Sequence, residues 1–326
     1  MKTESIDDNY PNNFACFTNF ISFILKEKFT EKIDELYIQL DILTANKKFA
    51  EYAYSQYKTN QSKKNLSVSY NRLADIYEKL GSRENFQTAL ELYSKCMELS
   101  EQLSEYRKTI ESEIDLAISY SKVAGIYKKL DGSQNLYKSL ELSQKTVNVI
   151  EQIYAIETTN EIKSYLPLGY DGLADVYINI GGKENLKKAL ELYQKSLNIE
   201  KEIYSDKQTT SNKIAIAKSC HNIAFVYEHL GNKENLENAL KLYGECLDTI
   251  KQIYTANKNP QIKKILSLSY EMEARAYSDL GSKKDLQTAL QLYQKSIDMR
   301  KQIYNSEKTD SSKRSLSNVY KGAAIV

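Results

Sequence analysis

Apolar and polar positions along the chain alternate with a helical rhythm. Leu66, Tyr70, Leu73, Tyr77 and Leu80 fall at steps of four, three, four and three, which lines one face of a helix. The stripe stops at Gly81, and a glycine just past a last turn supplies the left-handed backbone that closes a helix. A second stripe, Phe86, Ala89, Leu90, Tyr93 and Met97, follows Asn85. An asparagine there is able to accept a backbone N–H and cap a second helix. The pattern predicts a helix A over about 64–80 and a helix B over about 85–105.

The pattern then returns every 50 residues. Tyr70, Tyr120, Tyr170, Tyr270 and Tyr320 share one phase, with Cys220 in the remaining slot. Ala74, Ala124, Ala174, Ala224, Ala274 and Ala324 share another, and Tyr77 recurs through Tyr277. Gly181, Gly231 and Gly281 end the later helices A, Asp131-Gly132 ends the second, and Asn135, Asn185, Asn235 and Asp285 repeat the cap. A fixed period of this size marks stacked supersecondary units, each unable to bury its apolar face alone. The expected fold is an all-α, right-handed α-solenoid of antiparallel helix pairs. Five repeats fill residues 62–311, and a partial helix A occupies 312–326. Residues 1–61 hold a polar start and a degenerate capping pair, in which Leu36, Leu40 and Tyr54 keep the phase of Leu286, Leu290 and Tyr304. Phe14, Phe17, Phe20 and Phe23 lie ahead of it and read as an atypical first helix A, or as a docking helix.

Within residues 170–196, Tyr170, Leu173, Ala174, Tyr177, Ile180, Gly181, Ala189, Tyr193 and Ser196 stand in the order of aromatic, leucine and small positions found in the tetratricopeptide repeat (TPR). The chain resembles that family over about residues 62–326. Its units are longer than the family's usual 34 residues. In this they resemble kinesin light chains and the arrays attached to bacterial signalling ATPases and caspase-like proteases. The resemblance implies a non-enzymatic scaffold that holds a peptide or protein segment in a concave groove lined by helices A. Its alternative is a regulatory or sensor array of a larger signalling or defence enzyme, protease- or ATPase-linked, whose catalytic part lies elsewhere.

Composition narrows the partners. The 45 basic and 43 acidic residues give no global pull toward nucleic acid or an anionic membrane, and no apolar run approaches the ~20 residues of a spanning helix. No signal peptide is evident. The four cysteines have no metal-ligand spacing, and Cys96 and Cys246 share a slot with Thr146, Ser196 and Ser296. Buried thiols in a reducing, cytoplasmic compartment are the expectation. The two histidines, His221 and His229, would lie ~12 Å apart along one helix, too far to share a metal. Neither a phosphate loop nor a nucleophile elbow is present. No enzyme activity, cofactor or metal is expected.

Carried over by phase, the groove positions are Asn71, Asp75 and Glu78; Lys128; Asp171 and Asp175; His221, Asn222 and Glu228; Glu271 and Arg275. Their charges are mixed. Asp171 and Asp175 are expected to stand exposed at the centre of the concave face. Asn222 matches a position where light-chain-like members use asparagine to hold a peptide backbone. Two departures stand out. Pro167, Gly169 and Gly172 fall within six residues, so that helix starts late or hinges. Glu273 takes a slot held elsewhere by Leu73, Val123, Leu173 and Ile223, and is expected to reach solvent at a looser helix end. The apolar end at Ala323–Val326 predicts a longer chain, or end-to-end self-association through the C-terminal repeat.

Overall fold

The computed structural model describes residues 33–130 and 132–326, so the phenylalanine-rich stretch lies outside the described residues. Every regular element among them is a helix. In chain order these are α1 (Ile33–Tyr57), α2 (Asn60–Leu80), α3 (Arg83–Tyr106), α4 (Ile110–Lys129), α5 (Ser133–Ile156), the single turn α6 (Asn160–Lys163), α7 (Leu166–Ile180), α8 (Lys183–Asp206), α9 (Thr210–Leu230), α10 (Lys233–Ala256), α11 (Pro260–Leu280), α12 (Lys283–Glu307) and α13 (Asp310–Ala323).

The chain forms two compact units, one ending at Val149 and one starting at Ile150. In the first, α1 packs on α2, α2 on α3 and α3 on α4. In the second the same succession runs from α7 to α13. Packing of each helix chiefly on its sequence neighbours is the mark of stacked repeats. The phase-locked alanines sit where the helices cross: Ala74, Ala174, Ala224 and Ala274 are each 0% exposed. Small side chains at such crossings let the helix backbones approach closely. Tyr93, Tyr193 and Tyr243 from the helices B are buried beside them. Cys96, Cys220 and Cys246 are buried free thiols.

Glycine ends the helices A as the pattern implies, with φ of 65° at Gly81, 76° at Gly181, 68° at Gly231 and 73° at Gly281. The cap of helix B differs from expectation. Helix α3 begins at Arg83, and Ser82 is its N-cap, accepting from the Asn85 N–H. Asn85 therefore lies inside the first turn, and its side chain donates back to the Gly81 carbonyl at 2.6 Å. Asn185 does the same to Gly181 at 2.7 Å. The helices A have a cap that the apolar pattern did not reveal. Thr59, Thr109, Thr159, Thr209 and Thr309 each accept a backbone N–H of the first turn.

In the third repeat, Pro167 lies in the first turn of α7, and the preceding turn α6 is separate. Proline has no N–H to offer the helix before it, which is why the helix restarts. Glu273 does not reach solvent freely. Its Oε2 is buried without a hydrogen bond, and burial raises its pKa above the usual carboxylate value. Gly244 on α10 lies opposite, and a Cβ there would stand in ordinary contact with Glu273 Oε1 at 3.9 Å.

Candidate functional site

Helix A of each repeat turns its alanine and its apolar residues inward and leaves a polar edge at the slots of Asn71, Asp75 and Glu78. Ten of the eleven candidate residues occupy those slots, Asn222 lies one position further on, and all are half-buried. In the first unit the edge is tied together from within. Tyr93 on α3 donates its hydroxyl to Asp75 and, at 2.8 Å, to Glu78. Lys122 on α4 donates to Asp75 at 2.8 Å, and Lys129 to Glu78 at 2.5 Å. Burial works against the charge on Glu78, but Lys129, Tyr93 and Lys122 outweigh it and hold its pKa below the ordinary value. Burial and these two carboxylates push the Tyr93 phenol well above its ordinary range. Lys128 lies half-buried on the same helix as Lys122.

The second unit repeats the motif with other residues. Tyr193 on α8 donates to Asp175 on α7. Tyr243 on α10 donates to Glu228 on α9 at 2.9 Å, and Glu228 takes a two-pronged contact from Arg275 on α11, one prong at 3.0 Å. Burial opposes the Arg275 charge, yet Glu228 holds its pKa above normal. His221 lies edge-on to the Tyr243 ring, with centroids 5.4 Å apart. Burial first, then the nearby Arg275 charge, lower the His221 pKa to about 4, so the imidazole is neutral at pH 7. Glu271 pairs with Arg300 on α12, which also donates to the Ser315 carbonyl at 2.6 Å.

Asp171 and Asp175 do not stand exposed. Tyr193 reaches across to cover Asp175, and Asp171 is buried enough to raise its pKa. The structure thus brings Asp75 together with Glu78, and His221 and Glu228 together with Arg275. Asn71 and Asn222 lie on the edge outside these networks. The sequence reading missed Tyr93, Tyr193, Tyr243, Lys122 and Arg300. A signal for them existed: Asp75 with Tyr93 recurs as Asp175 with Tyr193, and the Asp75–Lys122 spacing recurs as Glu228–Arg275. Also on the helices A, Tyr70, Tyr120 and Tyr170 donate to Glu51, Glu101 and Glu151 at 2.7–2.9 Å. Tyr70, Tyr120 and Tyr170 are buried, whereas Tyr320 in the same phase is exposed. Separately, an open apolar hollow on α12 and α13 is lined by Tyr304, Leu316, Tyr320 and Ala324.

Among the described residues no group of three or more His, Cys, Asp or Glu is placed to hold a metal. No described helix is long and apolar enough to cross a membrane.

Residues 68–103 match the tetratricopeptide repeat family model. No curated protein matches the chain. Solved structures do. The crystal structure of BtubC (BKLC) from P. vanneervenii is similar at 16% identity, over 84% of this chain and 93% of that one, with a TM-score of 0.58. The apo form of RapI is similar at 16% identity, over 96% and 83%, with a TM-score of 0.55. The S. pombe nuclear import adaptor Nro1 is similar at 12% identity, over 94% and 99%, with a TM-score of 0.50. Identities this low speak for the fold alone. The chain has the fold of TPR-like helical-repeat proteins, and residues 68–103 carry the sequence of the repeat itself.

Proposed function

We propose that the chain is a protein-interaction scaffold without chemistry of its own, and that the polar edge of its helices A holds a peptide or protein segment. The observation that carries this reading is the preorganised edge. Successive helices present half-buried polar groups at a fixed interval, locked by Tyr93, Lys122 and Lys129 in one unit and by Tyr243 and Arg275 in the other. A surface whose rotamers are already fixed loses less entropy on binding. Because Asp75, Glu78 and Glu228 are matched by cations of the chain, the edge offers little unpaired charge. It suits a segment recognised through its backbone and neutral polar groups better than one recognised by a single sign of charge. Asn71 and Asn222 offer both a donor and an acceptor for such a backbone. Nro1, which shares the fold, is an adaptor, and holding a segment of another protein is the work assigned here.

The test uses the whole chain as bait, with Asn71→Ala and Asn222→Ala variants compared by quantitative mass spectrometry of captured proteins. Neither variant touches the ion-pair networks, so circular dichroism is expected to be unchanged. Partners recovered with the parent chain should be depleted with the variants. Full recovery of every partner by both variants would move the binding surface away from the helix-A edge.

A further inference from the structure

One slot on the outward face of the helices A is aliphatic where exposure to solvent favours a polar residue. It holds Val68 on α2 and Ile118 on α4 in the first unit, and Leu168 on α7, Lys218 on α9 and Leu268 on α11 in the second. Val68 is 37% exposed, Leu168 44% and Leu268 42%, and Ile118 is half-buried. A lone exposed leucine means little. Recurrence in one register calls for a cause, and the buried stripe through Tyr70, Leu73 and Ala74 lies on the opposite side of the helix. Steps of three and four lead from Val68 to Asn71 and Asp75. The aliphatic row therefore shares a face with the polar edge and continues it toward the helix N-termini.

Neighbouring helices A are tied side by side around this row. In the first unit Lys64 on α2 pairs with Glu111 on α4 at 2.5 Å, one turn before Val68. Lys122 on α4 pairs with Asp75 on α2 at 2.8 Å, two turns after Val68. In the second unit Lys218 Nζ on α9 stands 3.6 Å from Asp171 Oδ2 on α7, and Arg275 on α11 pairs with Glu228 on α9. The row is thus an apolar strip with charged rungs beside it. Apolar surface rimmed by polar groups is the arrangement of a protein-binding patch. The rungs are already paired within the chain, so the strip has the most to gain from a partner.

We infer, on the reading of the helix-A edge as a peptide site, that this row selects the peptide: the second unit takes an extended segment with two aliphatic side chains and an aspartate or glutamate between them. Leu168 and Leu268 receive the aliphatic side chains, whose burial drives the contact. Lys218 lies between them in the row, and its side chain is 66% exposed beside Asp171. An ammonium carries several donors, and a side chain this open has donors left for a carboxylate. The extended form follows from Asn222, since an α-helix keeps its own backbone groups occupied and leaves an asparagine nothing to hold. Helices that pack side by side stand ~8–10 Å apart. An extended chain of the polyproline II kind advances ~9 Å in one turn of three residues and returns its side chains to the same face. The expected pattern is aliphatic-x-x-acidic-x-x-aliphatic, which reads the same in either chain direction.

The experiment pans a displayed library of short random peptides against the whole chain, then measures the affinity of a selected peptide by fluorescence anisotropy. Selected peptides should carry the aliphatic-x-x-acidic-x-x-aliphatic pattern. Leu168→Ser and Leu268→Ser, both at open positions and checked for native circular dichroism, should each weaken binding about tenfold. Lys218→Leu, which copies the other members of the row, should shift the selection from an acidic to an aliphatic central residue. That change of preference is a gain that misfolding does not imitate. The inference is overturned, and the helix-A edge kept, if selected peptides need Asn222 but are indifferent to Leu168→Ser, Leu268→Ser and Lys218→Leu. If no peptide is selected, or if selected peptides ignore Asn222→Ala as well as those three variants, the inference and the reading of the edge fall together.

Discussion

In the fifth repeat Glu271 meets Arg300, and in the third repeat the same two positions hold Asp171 and Glu200. The frame around both pairs is alike. Ala174 and Ala274 are each 0% exposed at the helix crossing, and Gly181 and Gly281 close the helices A with positive φ. Even the prolines differ by position rather than by kind: Pro260 opens α11 and leaves it continuous, whereas Pro167 divides α6 from α7. The comparison teaches that small and apolar slots set the backbone, and that polar slots are free to diverge once it is set. A buried pair of opposite charge is then strongly missed when one partner goes, while at Asp171 and Glu200 burial disfavours the charged form of each carboxyl and raises its pKa.

Arg300→Ala should have the largest effect. It leaves Glu271 half-buried and uncompensated, and loss of one partner of a buried pair costs ~3–5 kcal/mol. Glu200→Ala, at the same slot of the third repeat, removes a carboxyl group whose charged form burial disfavours, and should cost far less. Chemical unfolding of both variants measures the contrast, and equal losses would show that the two slots are not equivalent.

His221 occupies the slot of Asp171 and Glu271 in the fourth repeat, and sharpens the comparison with pH. Its pKa falls from 6.5 to about 4 on folding. The unfolded chain therefore binds the proton first, so the stability this group supports is present above pH 6.5 and is lost as pH falls toward 4. The full shift corresponds to roughly 3 kcal/mol at about 1.4 kcal/mol per unit. His221→Gln should flatten the acid side of the stability curve across that window relative to the parent chain. An unchanged slope would place the histidine in water.

Ala174→Leu and Ala274→Leu probe the shared frame. Each should overpack its crossing and cost ~1–3 kcal/mol, by similar amounts. Unchanged thermal unfolding in either variant would break the phase assignment on which the comparison stands.

The fold was legible because each repeat restates the same steric demands. Glycine after Leu80, alanine at Ala74 and tyrosine at Tyr93 are forced by backbone geometry and close packing, and a period of 50 residues multiplies the signal. The polar edge was legible as a set of positions but not as a set of contacts. Whether Asp175 faces water depends on Tyr193, which is 18 residues away on another helix, and helical periodicity has no term for that. The caps at Thr59 and Thr109 were missed for a related reason: they lie in stretches without apolar rhythm, where only the recurrence of Thr-x-x-Ser marks them. Glu273 looked like a solvent-facing lapse because its burial comes from packing against another helix, where Gly244 lies opposite it.

The smallest effect expected is at the hydroxyls of the helix-B tyrosines. Tyr193 donates to Asp175, whereas the equivalent slot facing Tyr293 is Arg275, already engaged with Glu228. Arginine cannot accept a hydrogen bond, so Tyr293 has no use there for its proton. Tyr193→Phe should cost ~1–2 kcal/mol by leaving a half-buried carboxylate short of a donor, and Tyr293→Phe should be close to neutral. Both rings stay in place, so packing is constant and the difference isolates the hydroxyl. Comparable losses in the two variants would mean that the tyrosines act through their rings alone, and the polar edge would then owe its order to the ion pairs rather than to Tyr93, Tyr193 and Tyr243.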